Sequence, residues 1–166
     1  MNKIVLTLSA VILLGGCTYP DKTEIKNLQN EVNDLKKIIE DLKPGLGDVM
    51  GEIQEHHVKL FYAGKSGNWD LAKFELHEIQ EGFDAATRWH DKVEGVDTPV
   101  SQLIKIKDAS MQELESSIEK RSSNQFLFAF GHLTKACNEC HTSANHQFIV
   151  IQEPKGSIFT NQKFEK

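Results

Sequence analysis

The chain has 166 residues, long enough for one domain with a real core. Its 19 Lys and Arg against 24 Asp and Glu give a formal net charge of −5. The basic side chains form no stripe, which argues against nucleic acid as a partner.

The N-terminus reads as a secretion signal. Met1-Asn2-Lys3 precede an apolar run, residues 4–14, that is too short to span a bilayer as a mature helix. The run ends Leu14-Gly15-Gly16-Cys17, which resembles the lipobox of a bacterial lipoprotein. On that resemblance residues 1–16 are removed and Cys17 becomes the lipidated N-terminus, held in the membrane by its acyl chains and facing the periplasm. Thr18, standing where an aspartate would retain the protein at the inner membrane, weakly favours the outer membrane by resemblance to enterobacterial sorting. The alternative is an ordinary cleaved signal with an incidental cysteine.

Residues 17–45 follow as a tether. Ile25, Leu28, Val32, Leu35, Ile39 and Leu42 alternate three and four apart, with β-branched residues at heptad a and leucine at d. This pattern favours a parallel two-stranded coil, hence a homodimer through residues 25–42. Glu31 at g and Lys36 at the following e have the spacing of an interchain ion pair. A single amphipathic helix docked on the domain, or one lying on lipid, are the alternatives. Pro44-Gly45 stops the helix.

From Leu46 the periodicity is helical throughout. A first helix is predicted over about residues 47–64, carrying Val49, Met50, Ile53, His57, Leu60 and Phe61 on one face. Gly64-Lys65-Ser66-Gly67 makes a turn, and Asn68 caps a second helix running to about His90. Thr98 is read as the N-cap of a third helix with Pro99 at its first position, and its stripe runs from Val100 through Leu103, Ile104, Met111 and Leu114 to Ile118. Ser122 or Ser123 caps a fourth, on which Phe126, Phe130, Leu133, Cys137 and Cys140 share a face. Short loops between helices of similar length predict an all-α, antiparallel up-down-up-down four-helix bundle over residues 46–146. Residues 147–166 read as an extended tail. In it Phe148-Ile149-Val150-Ile151 form a strap on the domain, followed by a frayed end.

The chemistry concentrates in Cys137-Asn138-Glu139-Cys140-His141. This C-x-x-C-H spacing suits covalent haem attachment, with two thiols adding to the haem vinyl groups and the next histidine serving as an axial iron ligand. A structural zinc site wants about four ligands, and no second C-x-x-C pair exists. A thioredoxin-like redox site wants a βαβ setting. A simple disulfide leaves His141 unexplained. With Cys17 lipidated and Cys137 and Cys140 holding one haem c, every cysteine has a role.

A C-x-x-C-H near the end of the last helix of such a bundle resembles the class II c-type cytochromes, the cytochrome c prime family. The resemblance covers roughly residues 46–146, and the tether and the tail depart from the family pattern. It implies haem attachment outside the inner membrane, in agreement with the signal peptide. It also implies a sixth iron position filled by a methionine near the start of the first helix, or else left open to gases such as nitric oxide or carbon monoxide. Met50, about one turn into the first helix, is the candidate sixth ligand opposite His141. His57 lies seven residues further, roughly 10 Å along the axis, and His56 is nearly as far. A core filler is the competing role for Met50. His77, His90 and His132 are expected at the surface or edge, and His146 near the haem edge or bonded to a propionate.

No nucleophile–base arrangement points to an enzyme. The sequence therefore predicts a membrane-tethered monohaem electron carrier that exchanges electrons with redox partner proteins in the cell envelope. The alternative is a gas-binding haem protein with an open or displaceable sixth site.

Overall fold

The computed structural model describes residues 21–156 and 159–165; the expected signal peptide and Cys17 lie outside them. The chain divides into two units, one ending at Leu42 and one beginning at Lys43. Helix α1 (Lys22–Leu42) belongs to the first. Its seam residues Ile25, Leu28, Val32, Leu35, Ile39 and Leu42 are 44–76% exposed. It ends before Lys43, where the following Pro44 disfavours helical geometry.

The second unit is an all-α bundle. Its elements are α2 (Leu46–Lys65), α3 (Trp69–Trp89), α4 (Val100–Leu103), a 3-10 segment (Ile104–Lys107), α5 (Asp108–Glu119) and α6 (Ser123–Ser143). Asp48 accepts from the Gly45 amide at the start of α2, at 3.2 Å, and Asn68 caps α3 by accepting from Leu71 N. Gly67, at φ 72°, closes α2: Asn68 N bonds Ala63 O and Gly67 N bonds Gly64 O, the paired bonds of a Schellman motif.

Residue pairings run in opposite order along neighbouring helices. Between α2 and α6, Gly64 faces Phe126, Phe61 packs on Phe130, and His57 bonds Thr134. Between α2 and α3, Ile53 meets Gly82 while His56 bonds the buried Glu75 at 2.7 Å. Gly64 and Gly82 are close-approach points, since a Cβ on either would collide with the facing side chain. Leu60, Phe61, Ile79, Leu114, Phe126, Phe130 and Leu133 are almost wholly buried, each stabilising by about 1.5–3 kcal/mol.

Two local expectations are corrected. Pro99 is not the first helical residue: it stands extended in an antiparallel bridge with Lys92, and Val100 N bonds Asp91 O, so the helix starts one residue later. The third helix is also not continuous. A uniform helix would set Lys107 on the apolar stripe. The chain tightens at Ile104–Lys107, and Lys107 stays buried there, its ammonium bonding Gln80 Oε1 and Asp108 Oδ1, each at 3.0 Å. The tail differs as well. Among the described residues beyond the strap, Phe164 is 7% exposed and packs on Tyr62, while the Lys59 ammonium lies over Phe159.

Candidate cofactor cavity

The C-terminal half of α6 carries the motif. Cys137, Cys140, His141 and Ala144 fall at helical spacings of three and four, so they share one face. That face lines a cavity of about 330 Å³, within the roughly 300–1,000 Å³ range of small-molecule and cofactor sites. The opposite wall comes from α2, with Leu46, Met50, Ile53 and His57. Phe83 of α3 and Val100, Leu103 and Ile104 complete an apolar lining, and the strap residues Ile149 and Ile151 close one side.

Gly47 and Gly51 also line this cavity, one turn apart on either side of Met50. A Cβ added at either would meet nothing within 4 Å. Glycine inside a helix costs about 1 kcal/mol relative to alanine. Here the pair strips side chains from the wall and leaves the α2 backbone open to a flat ligand.

Both cysteines are free thiols. Burial pushes the Cys137 thiol up to about 12, with the neighbouring Cys140 adding to the effect, and burial also raises Cys140. Such groups stay protonated at neutral pH, unlike the thiolate of a C-x-x-C redox catalyst. Among the described residues no three His, Cys, Asp or Glu side chains gather as the ligand set of a bare metal ion.

The imidazoles divide by their partners. His141, half-buried, bonds Ile149 O through Nδ1 at 2.9 Å. A carbonyl only accepts, so Nδ1 carries a proton, and in the neutral ring Nε2 is the nitrogen with the lone pair. His57 is 3% exposed and its Nε2 lies 3.0 Å from Thr134 Oγ1. That hydroxyl spends its proton on Phe130 O, so His57 Nε2–H donates to it. Burial lowers His57 to about 4, leaving a neutral ring packed 4.3 Å from Phe130. His56 is not in the cavity wall; it turns to Glu75 on α3.

His146 does reach the cavity, its Nδ1 donating to Ala144 O at 2.6 Å. His77 and His132 pair with Glu81 and Glu113 at the surface, and His90 donates to Pro44 O. Met50 is half-buried and shares the cavity with His141.

The chain matches no protein-family model, no curated protein and no solved structure.

The residues that sequence reasoning missed are Gly47, Gly51, Asn138 and the backbone of 149–151. The glycine pair at i and i+4 around Met50 was a visible sign. What Asn138 binds was not visible, because its partners lie beyond the end of α6.

The cavity and its donors fit a haem. Two adjacent protonated thiols, a tautomerically fixed imidazole, an apolar enclosure and a side-chain-free stretch of α2 stand together.

Proposed function

We propose that the protein is a monohaem c-type cytochrome of the class II kind, carrying electrons in the bacterial cell envelope from a lipid anchor at Cys17. What supports this most is the convergence of Cys137, Cys140 and His141 on one apolar cavity faced by Met50. Cys137 and Cys140 would hold the haem: each thiol would add its sulfur and its proton across a vinyl double bond, giving a thioether with no atom lost and no oxidant required. His141 Nε2 is the nitrogen available to iron, and the Met50 thioether is the candidate sixth ligand. The bound haem supplies a one-electron iron couple. Apolar walls hold water away from it, and partner proteins of the envelope accept or donate the electron.

A second function is uptake of nitric oxide or carbon monoxide at a displaceable sixth position. The open space that Gly47 and Gly51 leave beside Met50 favours it. Both functions are tested on the full chain matured in a host that attaches haem in its envelope. The chain is expected to retain haem through denaturing electrophoresis, and Cys137→Ser with Cys140→Ser is expected to lose it. A weak band near the red edge of the oxidised spectrum is expected, and lost in Met50→Ala. Rapid carbon monoxide binding by the reduced protein would move the assignment to gas uptake. A matured chain without covalent haem refutes both.

A further inference from the structure

After His141 the chain folds back over the motif. Asn145, at φ 60°, ends α6 in a left-handed turn, and His146 N bonds His141 O at 2.7 Å. Ile149 N then bonds His146 O at 2.9 Å, which sets the following residues beside α6. Ile149 and Ile151 face the cavity while Val150 is 72% exposed, the alternation of an extended segment.

Asn138 ties this segment to the motif. Asn138 Nδ2 donates to Ile151 O at 2.8 Å, and Ile151 N donates back to Asn138 Oδ1 at 2.8 Å. The same Nδ2 also bonds Thr134 O at 3.1 Å. An amide nitrogen can only donate and a carbonyl can only accept, so the Asn138 side chain has one orientation that satisfies all three. Two residues back along the segment, Ile149 O takes the Nδ1 proton of His141.

We propose that Asn138, through the clamped segment 149–151, is a positioning residue that holds His141 as its Nδ1–H tautomer with Nε2 reserved for a metal. The proposal rests on the haem function above only for the identity of that metal. Asn138 is a variable position of the C-x-x-C-H spacing, and its geometry suits this work: it sits three residues before His141 on the helix and reaches a backbone two residues past the carbonyl that His141 needs. An imidazole whose far nitrogen donates to a carbonyl is a more basic ligand, and such outer partners typically change metal affinity 10–100-fold. A more basic ligand favours ferric over ferrous iron.

The test uses the full chain and compares it with Asn138→Ala and with Val150→Ala, the latter altering only the exposed side of the segment. Nitrogen NMR of the histidine rings is expected to show His141 as the single Nδ1–H tautomer in the unaltered chain and as a mixture in Asn138→Ala. The Ile151 amide is expected to exchange at least about tenfold faster in that variant. On the haem-loaded chain the ferric preference is expected to fall about tenfold, which for a one-electron couple raises the midpoint potential by about 59 mV. Val150→Ala should change none of these. Should Asn138→Ala fail to fold, the unaltered chain alone decides: an Ile151 amide exchanging as freely as that of Val150, or a mixed His141 tautomer, overturns the proposal. An unchanged tautomer in a folded Asn138→Ala overturns it too. A fixed tautomer and a protected Ile151 amide in a chain that carries no haem support the clamp while removing the cytochrome assignment.

Discussion

His57 is the side chain at which fold and site compete most directly. It lines the cavity yet is held neutral by burial, at about 4 instead of the ordinary 6.5. Between those two values the unfolded chain binds a proton that the folded chain refuses, so stability falls as pH drops through this window and is level above and below it. A shift of that size corresponds to about 3 kcal/mol across the window. Urea unfolding at pH 7 and at pH 4, on chains of equal haem content, should therefore show His57→Gln losing less stability on acidification than the unaltered protein does. Parallel losses would mean that His57 is not the buried group responsible. The replacement also keeps a donor for Thr134 Oγ1, so the difference reports the ring's charge rather than an orphaned hydroxyl.

At the level of elements, α1 is amphipathic and none of its residues is buried. Its seam, Ile25 to Leu42, has the a and d chemistry of a parallel pair, and Glu31 with Lys36 supplies opposite charges at g and e. Parallel association also suits two chains anchored by their N-termini in one membrane. Sedimentation of the lipid-free Cys17→Ser chain should give a dimer, and deletion of residues 18–43 should give a monomer with an unaltered spectrum. Leu35→Lys should weaken the dimer at least about tenfold, because burying a leucine contributes about 1.5–3 kcal/mol and tenfold is about 1.4. A Cys17→Ser chain that sediments as a monomer at high concentration sinks the coil.

For the whole molecule, what could be read in advance was whatever depends on near neighbours in sequence. The heptads gave α1, and the Asn68 cap and the Gly67 turn gave the junction of α2 and α3. The C-x-x-C-H spacing singled out Cys137, Cys140 and His141, and all three line one cavity. What escaped depends on partners brought from afar: the break before α5 goes with a lysine buried against Gln80, Phe164 is buried by its contact with Tyr62, and the His141 tautomer is fixed by a carbonyl eight residues on. Membrane attachment is a proposal that rests on Cys17 and its preceding apolar run alone. No described helix is long and apolar enough to cross a membrane. The proposed anchor at Cys17 would act through acyl chains, at about 0.8 kcal/mol per buried methylene, so one chain would hold marginally and several firmly. Fractionated cells should yield the unaltered protein with membranes, released by detergent and not by salt, since the net charge of −5 offers no basic patch to anionic lipid. Cys17→Ser should move it to the soluble fraction with its haem spectrum intact. A Cys17→Ser chain that still pellets and is freed by salt would replace the lipid anchor with a protein partner in the envelope.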